Sequence, residues 1–230
     1  MGLPQPRVDD EFPSLTALLA ENERLKRELA VARARVSDLE ARADVDPLLD
    51  ILNRRGFERE LKRALAHVKR YGTQAALMFV DLDGFKGIND RFGHPAGDEI
   101  LKLFATVVVN NLRLSDLSGR IGGEEFAALL PCPLDEGVIA AERVREAFET
   151  SGIVCEEGKV DTTVSIGVAG GPAGTELEVL LAAADTALYQ AKRGGRNRVE
   201  AAEELPLSLE NWRRKTAGLP AAPRPAPLIA

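Results

Sequence analysis

Only two cysteines, Cys132 and Cys155, occur in 230 residues. Two cannot build a disulfide framework, and they suit a reducing compartment better than they suit a single bridge. No apolar run approaches the roughly 20 residues that a membrane helix needs. The opening Met1-Gly2-Leu3-Pro4-Gln5-Pro6-Arg7 lacks the apolar core of a signal peptide, and Pro6 stands where a myristoylation motif wants Ser or Thr. A cytoplasmic protein without membrane insertion is the expectation. Positive charge is also short. A net charge of −6 argues against a general nucleic-acid surface, so an anionic substrate has to be held by local basic groups or by metal. What is present is apolar residue: 45% of the chain, enough for a packed core in one good-sized domain with appendages.

Residues 1–13 are Pro-rich and acidic, which predicts a flexible start. A heptad follows. Leu15, Asn22, Leu29, Val36 and Ala43 fall at a; Leu18, Leu25, Ala32 and Leu39 fall at d. The flanking pairs Glu21 with Lys26, Glu28 with Arg33 and Arg35 with Glu40 join opposite charges, and Asn22 is the lone polar residue at a. The pattern favours a parallel two-stranded coiled coil over residues 14–44, rather than one amphipathic helix lying on its own domain. Asp46-Pro47 breaks the pattern. Leu48, Ile51, Leu52, Phe57, Leu61 and Leu65 predict a further helix, and Ala75 to Val80 predict a buried strand.

That strand ends in Asp81-Leu82-Asp83-Gly84-Phe85-Lys86. Period two puts Asp81 and Asp83 on one face, a place for a metal and phosphates or a solvated strand end. Asn89 to Asp98 reads as a polar loop. Its amide and carboxylate can read a guanine edge; alone, Asp98 reads better as the N-cap of a helix running to about Leu114. Arg113 and Asp116 read as a local ion pair. Arg120-Ile121-Gly122-Gly123-Glu124-Glu125-Phe126 reads as a tight β-hairpin whose glycines supply positive φ and let a ligand approach the backbone. Neighbouring strand residues point to opposite faces, so only one of the two glutamates can meet a hard cation from the tip; the alternative is an ordinary hairpin with solvated glutamates. Helices are predicted over 136–148 and 176–192, with a second hairpin around Glu156-Glu157-Gly158. Lys192 and Arg196 flank a Gly194-Gly195 stop, where they can grip phosphate or simply complement the helix dipole. From Leu205 the chain thins into Ala and Pro, predicting a disordered tail.

Taken together, residues 46 to 199 resemble the GGDEF family of diguanylate cyclases. The resemblance rests on Asp46-x-Leu48 with Asn53-Arg54-Arg55-x-Phe57; Asp81-x-Asp83-x-Phe85-Lys86-x-Ile88-Asn89-Asp90; Gly93-His94-x-x-Gly97-Asp98; Arg120-x-Gly122-Gly123-Glu124-Glu125-Phe126; Ser165-Ile166-Gly167-Val168; Ala184-Asp185-x-Ala187-Leu188-Tyr189-x-Ala191-Lys192; and Gly195-Arg196-Asn197. It implies an α/β (α+β) fold, a central, mostly antiparallel five-stranded sheet wrapped by helices like the palm of nucleotidyl cyclases. The implied domains are a catalytic domain over 45–200, the dimerising coil before it and a tail over 201–230. The implied reaction condenses two GTP into cyclic di-GMP across a homodimer. Asp81, the Leu82 carbonyl and Glu124 are the implied metal ligands, with Mg2+ expected twice per substrate and Mn2+ able to substitute. Glu124 is also the implied acceptor of the 3′-hydroxyl proton. Asn89 and Asp98, with His94 nearby, are the implied guanine readers, and Phe85, Lys86, Lys192 and Arg196 the implied triphosphate cradle. Arg113, Asp116 and Arg143 are the implied inhibitory site for cyclic di-GMP. One departure stands out: the family usually has Thr-Gly where this chain has Leu49-Asp50, in the segment that joins coil to domain. The rival readings are a catalytically silent cyclic di-GMP receptor and a dimeric scaffold.

Overall fold

The computed structural model describes residues 18–31, 44–155, 158–202, 205 and 210, and the chain divides into two compact units, Met1–Ala43 and Asp44–Ala230. In the first, residues 18–31 form a helix, α1. Its seam residues Leu18, Leu25 and Leu29 are about half exposed. Its charges pair along the helix, Arg24 with Glu21 at 2.6 Å and with Glu28 at 3.2 Å, and Lys26 with Glu23 at 2.9 Å. Such exposed pairs contribute little to stability. The heptad positions Leu15, Ala32, Val36, Leu39 and Ala43 and the charges Arg33, Arg35 and Glu40 lie outside the described residues.

The second unit is built on β1 (Ala75–Leu82), every residue of which is buried. A strand covered on both faces reads as a continuous apolar run, which is why no alternation shows in its sequence. It lies at the centre of a five-stranded sheet with β2 (Leu117–Arg120), β3 (Glu125–Leu130), β6 (Val164–Gly171) and β7 (Val199–Ala201). The order is β2-β3-β1-β6-β7, antiparallel except where β7 joins β6 in parallel. Successive side chains feed two cores. Ala76, Met78, Val80 and Leu82 pack with α3 (Phe85–Asn111) and α4 (Leu134–Ser151); Ala75, Leu77 and Phe79 pack with α2 (Arg54–Tyr71) and α5 (Leu177–Arg193). Phe104 of α3 meets Phe126 of β3 and Phe148 of α4 edge-on, at 4.7 and 5.0 Å between ring centroids, and each such pair adds about 1 kcal/mol beyond its buried area.

Several expected boundaries move. The predicted hairpin around residue 157 is β4 (Ile153–Cys155) with β5 (Gly158–Val160), a separate two-stranded sheet, while the following strand, β6, belongs to the main one. Residues 89–98 are not a loop. They lie inside α3, which kinks at Gly93 (φ 79, ψ 165) and resumes through Pro95, a residue tolerated in a first turn. Asp98 therefore sits within the resumed helix instead of capping it. The helix ends at Asn111, because Leu112 is extended. β7 continues through Ala201, and Leu205 is buried in the α2/α5 core, so packing extends past residue 200. Among the described residues no helix is long and apolar enough to cross a membrane.

Residues 44–53 form a folded turn rather than the start of a helix; α2 starts only after Asn53, whose side chain accepts from Gly56 N at 3.0 Å. Val45 bridges Leu52, Leu52 bridges Gly119, and Arg120 N donates to Leu52 O at 2.8 Å. Asp50 is left-handed here, with φ 54. This is the place of the glycine usual in the family, so the departure keeps the turn at the cost of strain. Asp50→Gly is expected to stabilise the domain by about 0.5 kcal/mol in urea unfolding; a loss of stability contradicts that account.

Candidate active site

The signature heptapeptide forms the β2–β3 hairpin. Arg120 pairs with Phe126, and Ile121 N and Gly122 N both donate to Glu125 O, at 2.8 and 3.2 Å. Neither Gly122 nor Gly123 has positive φ, so the turn does not use their backbone freedom, and only Gly122 is needed for space. A Cβ on Gly122 would lie 2.2 Å from Glu125 Oε2, whereas one on Gly123 would meet nothing within 4 Å. Arg120 holds the tip from below. It donates to Gly123 O at 2.7 Å and Gly122 O at 3.1 Å, and its Nη1 reaches Asp46 Oδ2 at 3.1 Å. Asp46 in turn accepts from Leu48 N and Leu49 N. The turn that enters the domain is thereby tied to the hairpin tip. The sequence reading quoted both residues and gave neither a role.

At the end of β1, Asp81 is opposite Glu125 on one side and Ser165 on the other. It is buried, and Lys192 Nζ lies 2.6 Å from its Oδ2. Burial still outweighs the lysine and pushes the Asp81 carboxyl above its usual range. Glu124 is joined to the same strand end through Leu82 N, which donates to Glu124 O at 3.3 Å. Its carboxyl is raised first by burial and next by the charge of Asp81. Two half-desolvated carboxylates that repel each other form an oxygen donor pair suited to a hard divalent cation. Among the described residues no group of three or more His, Cys, Asp or Glu side chains is arranged to hold a metal.

Asp83 lies on the same side as Asp81 and Ser165, as expected, but its carboxylate is engaged within the chain. Its Oδ1 accepts from Ser165 Oγ at 2.7 Å, and its Oδ2 from Thr163 Oγ1 at 2.7 Å and Asn197 N at 3.1 Å. It organises the loop after α5 instead of facing outward. That loop is strained: Arg196 (φ 65) and Asn197 (φ 48) are both left-handed. Glu149, Arg145 and Asp83 pin Asn197 in place, and strain of this kind persists only where surroundings over-determine it. Gly167 lets α5 lie directly on β6, since a Cβ there would come within 2.3 Å of Leu188 N and Ala184 O. That close approach sets Lys192 beside Asp81.

The first turn of α3 follows Gly84, a left-handed N-cap (φ 71) that supplies no side-chain acceptor. The amides of Phe85 and Lys86 are left for an anion, which the helix dipole also favours. One turn on, Asn89 Oδ1 is buried and has no hydrogen-bond partner. A Cβ on Gly97 would fall 2.0 Å from it, so Gly97 keeps the space around this amide. His94 and Asp98 are exposed on the resumed helix.

Arg113, Asp116 and Arg143 line one small cavity of about 90 Å³ with Cys132, Glu136 and Ile139. Arg113 and Asp116 do not form the expected ion pair. Asp116 Oδ2 accepts from Arg113 N at 2.8 Å, while the guanidinium faces Glu136 at 3.8 Å. Arg143 Nε donates to Asn111 O at 3.2 Å, capping α3. Glu136 escaped the sequence reading because nothing in its surroundings there marks it. Cys132 is a free buried thiol, pushed up to about 11 by burial.

Asp185 on α5 was also missed as a charged neighbour of the hairpin. Burial, and then Glu125, push its carboxyl from 3.8 up to about 6. A raised folded-state value contributes stability below the unfolded value that is lost as pH rises through the folded one. Asp185→Asn is therefore expected to match the parent near pH 4 and to exceed it at pH 8 by on the order of 2 kcal/mol in urea melts. A difference independent of pH contradicts the assignment.

Comparison with known proteins bears on this arrangement. The family model described as "Diguanylate cyclase, GGDEF domain" matches residues 43–198, and the chain belongs to that family. It is 40% identical to the diguanylate cyclase DosC of Escherichia coli (strain K12) over 158 residues, 68% of this chain and 34% of that protein. It is 35% identical to the diguanylate cyclase DgcP of Pseudomonas aeruginosa over 189 residues, 82% of this chain and 28% of that protein. The chain thus spans about a third of those relatives' length. Among solved structures, the coiled coil and GGDEF domain of DgcB from Caulobacter crescentus, in complex with c-di-GMP, superposes with a TM-score of 0.70 at 32% identity, over 80% of this chain and 99% of that one. The active GGEEF domain of a diguanylate cyclase from Vibrio cholerae gives 0.62 at 32% identity, over 66% of this chain and 97% of that one.

Proposed function

We propose that the chain is a diguanylate cyclase that condenses two GTP into cyclic di-GMP and two pyrophosphates across a homodimer. The observation that carries this reading is the meeting of Asp81, Glu124 and Lys192 at the end of β1, beside the bare α3 N-terminus and the unpartnered Asn89 amide. Asp81, Glu124 and the Leu82 carbonyl would hold Mg2+. Bound there, the metal neutralises phosphate charge and polarises the α-phosphoryl group. Lys192, paired with Asp81, would turn to the triphosphate, and Arg196, the Phe85 and Lys86 amides and Lys86 would complete the cradle. Asn89 and Asp98 read the guanine edge, with His94 at the rim, favouring GTP over ATP.

One domain holds one GTP. Each 3′-hydroxyl attacks the α-phosphorus of the other nucleotide and passes its proton to Glu124. A 3′–5′ phosphodiester forms, the bond from α-phosphorus to the bridging oxygen breaks, and pyrophosphate leaves. Two such steps close the ring. The coil keeps the halves together: the exposed Leu18, Leu25 and Leu29 of α1 are the seam it would bury. Product returns to the cavity of Arg113, Asp116 and Arg143 as an inhibitor.

Incubating the full chain with GTP and Mg2+ and separating the nucleotides by chromatography tests the reading. Cyclic di-GMP is the expected product; binding of cyclic di-GMP without turnover would make the chain a receptor, and neither would leave a scaffold. Arg113→Ala is expected to raise the product concentration that gives half-inhibition by about tenfold or more. Unchanged inhibition counts against that cavity.

A further inference from the structure

The most basic element of this acidic chain has no part in the chemistry above. α2 carries seven Lys and Arg against two Glu, a net +5 in a chain of net −6, so the remainder bears −11. At helical spacing Arg55, Arg59, Lys62, Arg63, Lys69 and Arg70 fall within about 120° of one another. Phe57, Leu61 and Val68, on the opposite face, are buried. The helix spans 18 residues, so the stripe is about 27 Å long and one helix wide.

Its N-terminal end already holds a carboxylate. Asp44, buried where the chain enters the domain, takes Arg55 Nε at 2.8 Å on Oδ1 and Arg59 Nη1 on Oδ2. Glu60, at the edge of the stripe, meets Arg59 and Arg63. Farther along, Lys62, Lys69 and Arg70 are exposed and make no ion pair among the described residues. Arg70 lies over the exposed Tyr71 ring, 5.6 Å from its centre.

We propose that the outer face of α2 is a docking surface for an acidic polypeptide segment, one that extends along the helix the carboxylate pairing that Asp44 begins. A broad polyanion fits less well. A membrane plane or a nucleic-acid duplex presents charge over a face wider than one helix, and the apolar face of α2 is committed to the core, so the helix has nothing to insert into a bilayer. A single line of carboxylates meets only the stripe.

The test uses the full chain and fluorescein-labelled oligoglutamate of about 20 residues, read by anisotropy at low salt, where exposed charges are least screened. The wild type is expected to bind. Lys62→Glu/Lys69→Glu/Arg70→Glu is expected to lose affinity at least about tenfold, and the milder Lys62→Gln/Lys69→Gln/Arg70→Gln to lose less. Lys102→Glu, an exposed cation on α3, is expected to bind as the wild type does. GTP turnover by the triple variants without the peptide is expected to stay at the parent level. The proposal is overturned if oligoglutamate does not bind, if the triple reversal leaves binding intact, or if Lys102→Glu weakens it equally. It is overturned as well if vesicles of phosphatidylglycerol or a short DNA duplex bind more tightly through the same three residues.

Discussion

Glu124→Gln is expected to abolish cyclic di-GMP formation while leaving the domain at least as stable as the parent. The first half follows from the two roles proposed above for one carboxylate. The amide cannot accept the 3′-hydroxyl proton, and it is a weaker oxygen ligand for a hard cation. Removing a positioned base alone lowers turnover by about 10²–10⁴-fold, and losing the metal ligand adds to that. The second half follows from the electrostatics. Burial and the neighbouring Asp81 both disfavour the ionised form of Glu124, so a neutral amide of the same shape removes a repulsion. The expected gain is small without metal, since solvent screens a half-exposed carboxylate, and it fades when Mg2+ is supplied. Activity and stability would thus move in opposite directions, as they do where a fold carries charge for chemistry. Urea unfolding beside product chromatography checks both. A variant that loses activity because it unfolds would assign Glu124 to the structure instead.

Removing residues 1–43 is expected to have the next largest effect. Asp44–Ala230 forms its own compact unit with cores on both faces of its sheet, so the truncated domain should fold and bind GTP. On the proposed mechanism it loses its tether. A short tether holds its partner at about millimolar effective concentration, so at about 1 μM protein the untethered domain would turn over roughly 10³-fold more slowly per chain. Its rate per chain should climb in proportion to protein concentration, whereas that of the full chain stays flat. A truncated domain as fast as the full chain at every concentration would remove the coil from the mechanism.

Much of the sheet was legible because its central strands β1, β3 and β6 are buried along nearly their whole length and its signature residues sit at strand ends. The run from Ala75 through Val80 marks its own burial, and the glycines at 122 and 123 mark the turn. What sequence could not tell was the work of residues whose partners are far along the chain. Asp83 looks like a second metal ligand until Thr163, Ser165 and Asn197, at sequence distances of 80 or more, take up both of its oxygens. Arg120 and Asp46 lie 74 residues apart, and their contact exists only after the entering turn has folded beside β2. The loop expected over residues 89–98 failed for a local reason. The polar stretch holds two glycines, yet one kink at Gly93 absorbs the irregularity, and Gly97 is there to make room for Asn89. Arg113 and Asp116 showed their spacing but not that the carboxylate would turn back to its own backbone.

On the proposed mechanism two loaded halves must meet before either bond forms, and mixing chains tests this most directly. Wild type is allowed to exchange subunits with a large excess of full-length Glu124→Gln chain, and cyclic di-GMP formed per wild-type chain is measured. It should fall in step with the shrinking fraction of wild-type pairs, because a mixed pair can activate only one of its two hydroxyls. Output per wild-type chain that ignores the excess would show each chain acting alone and would contradict the account.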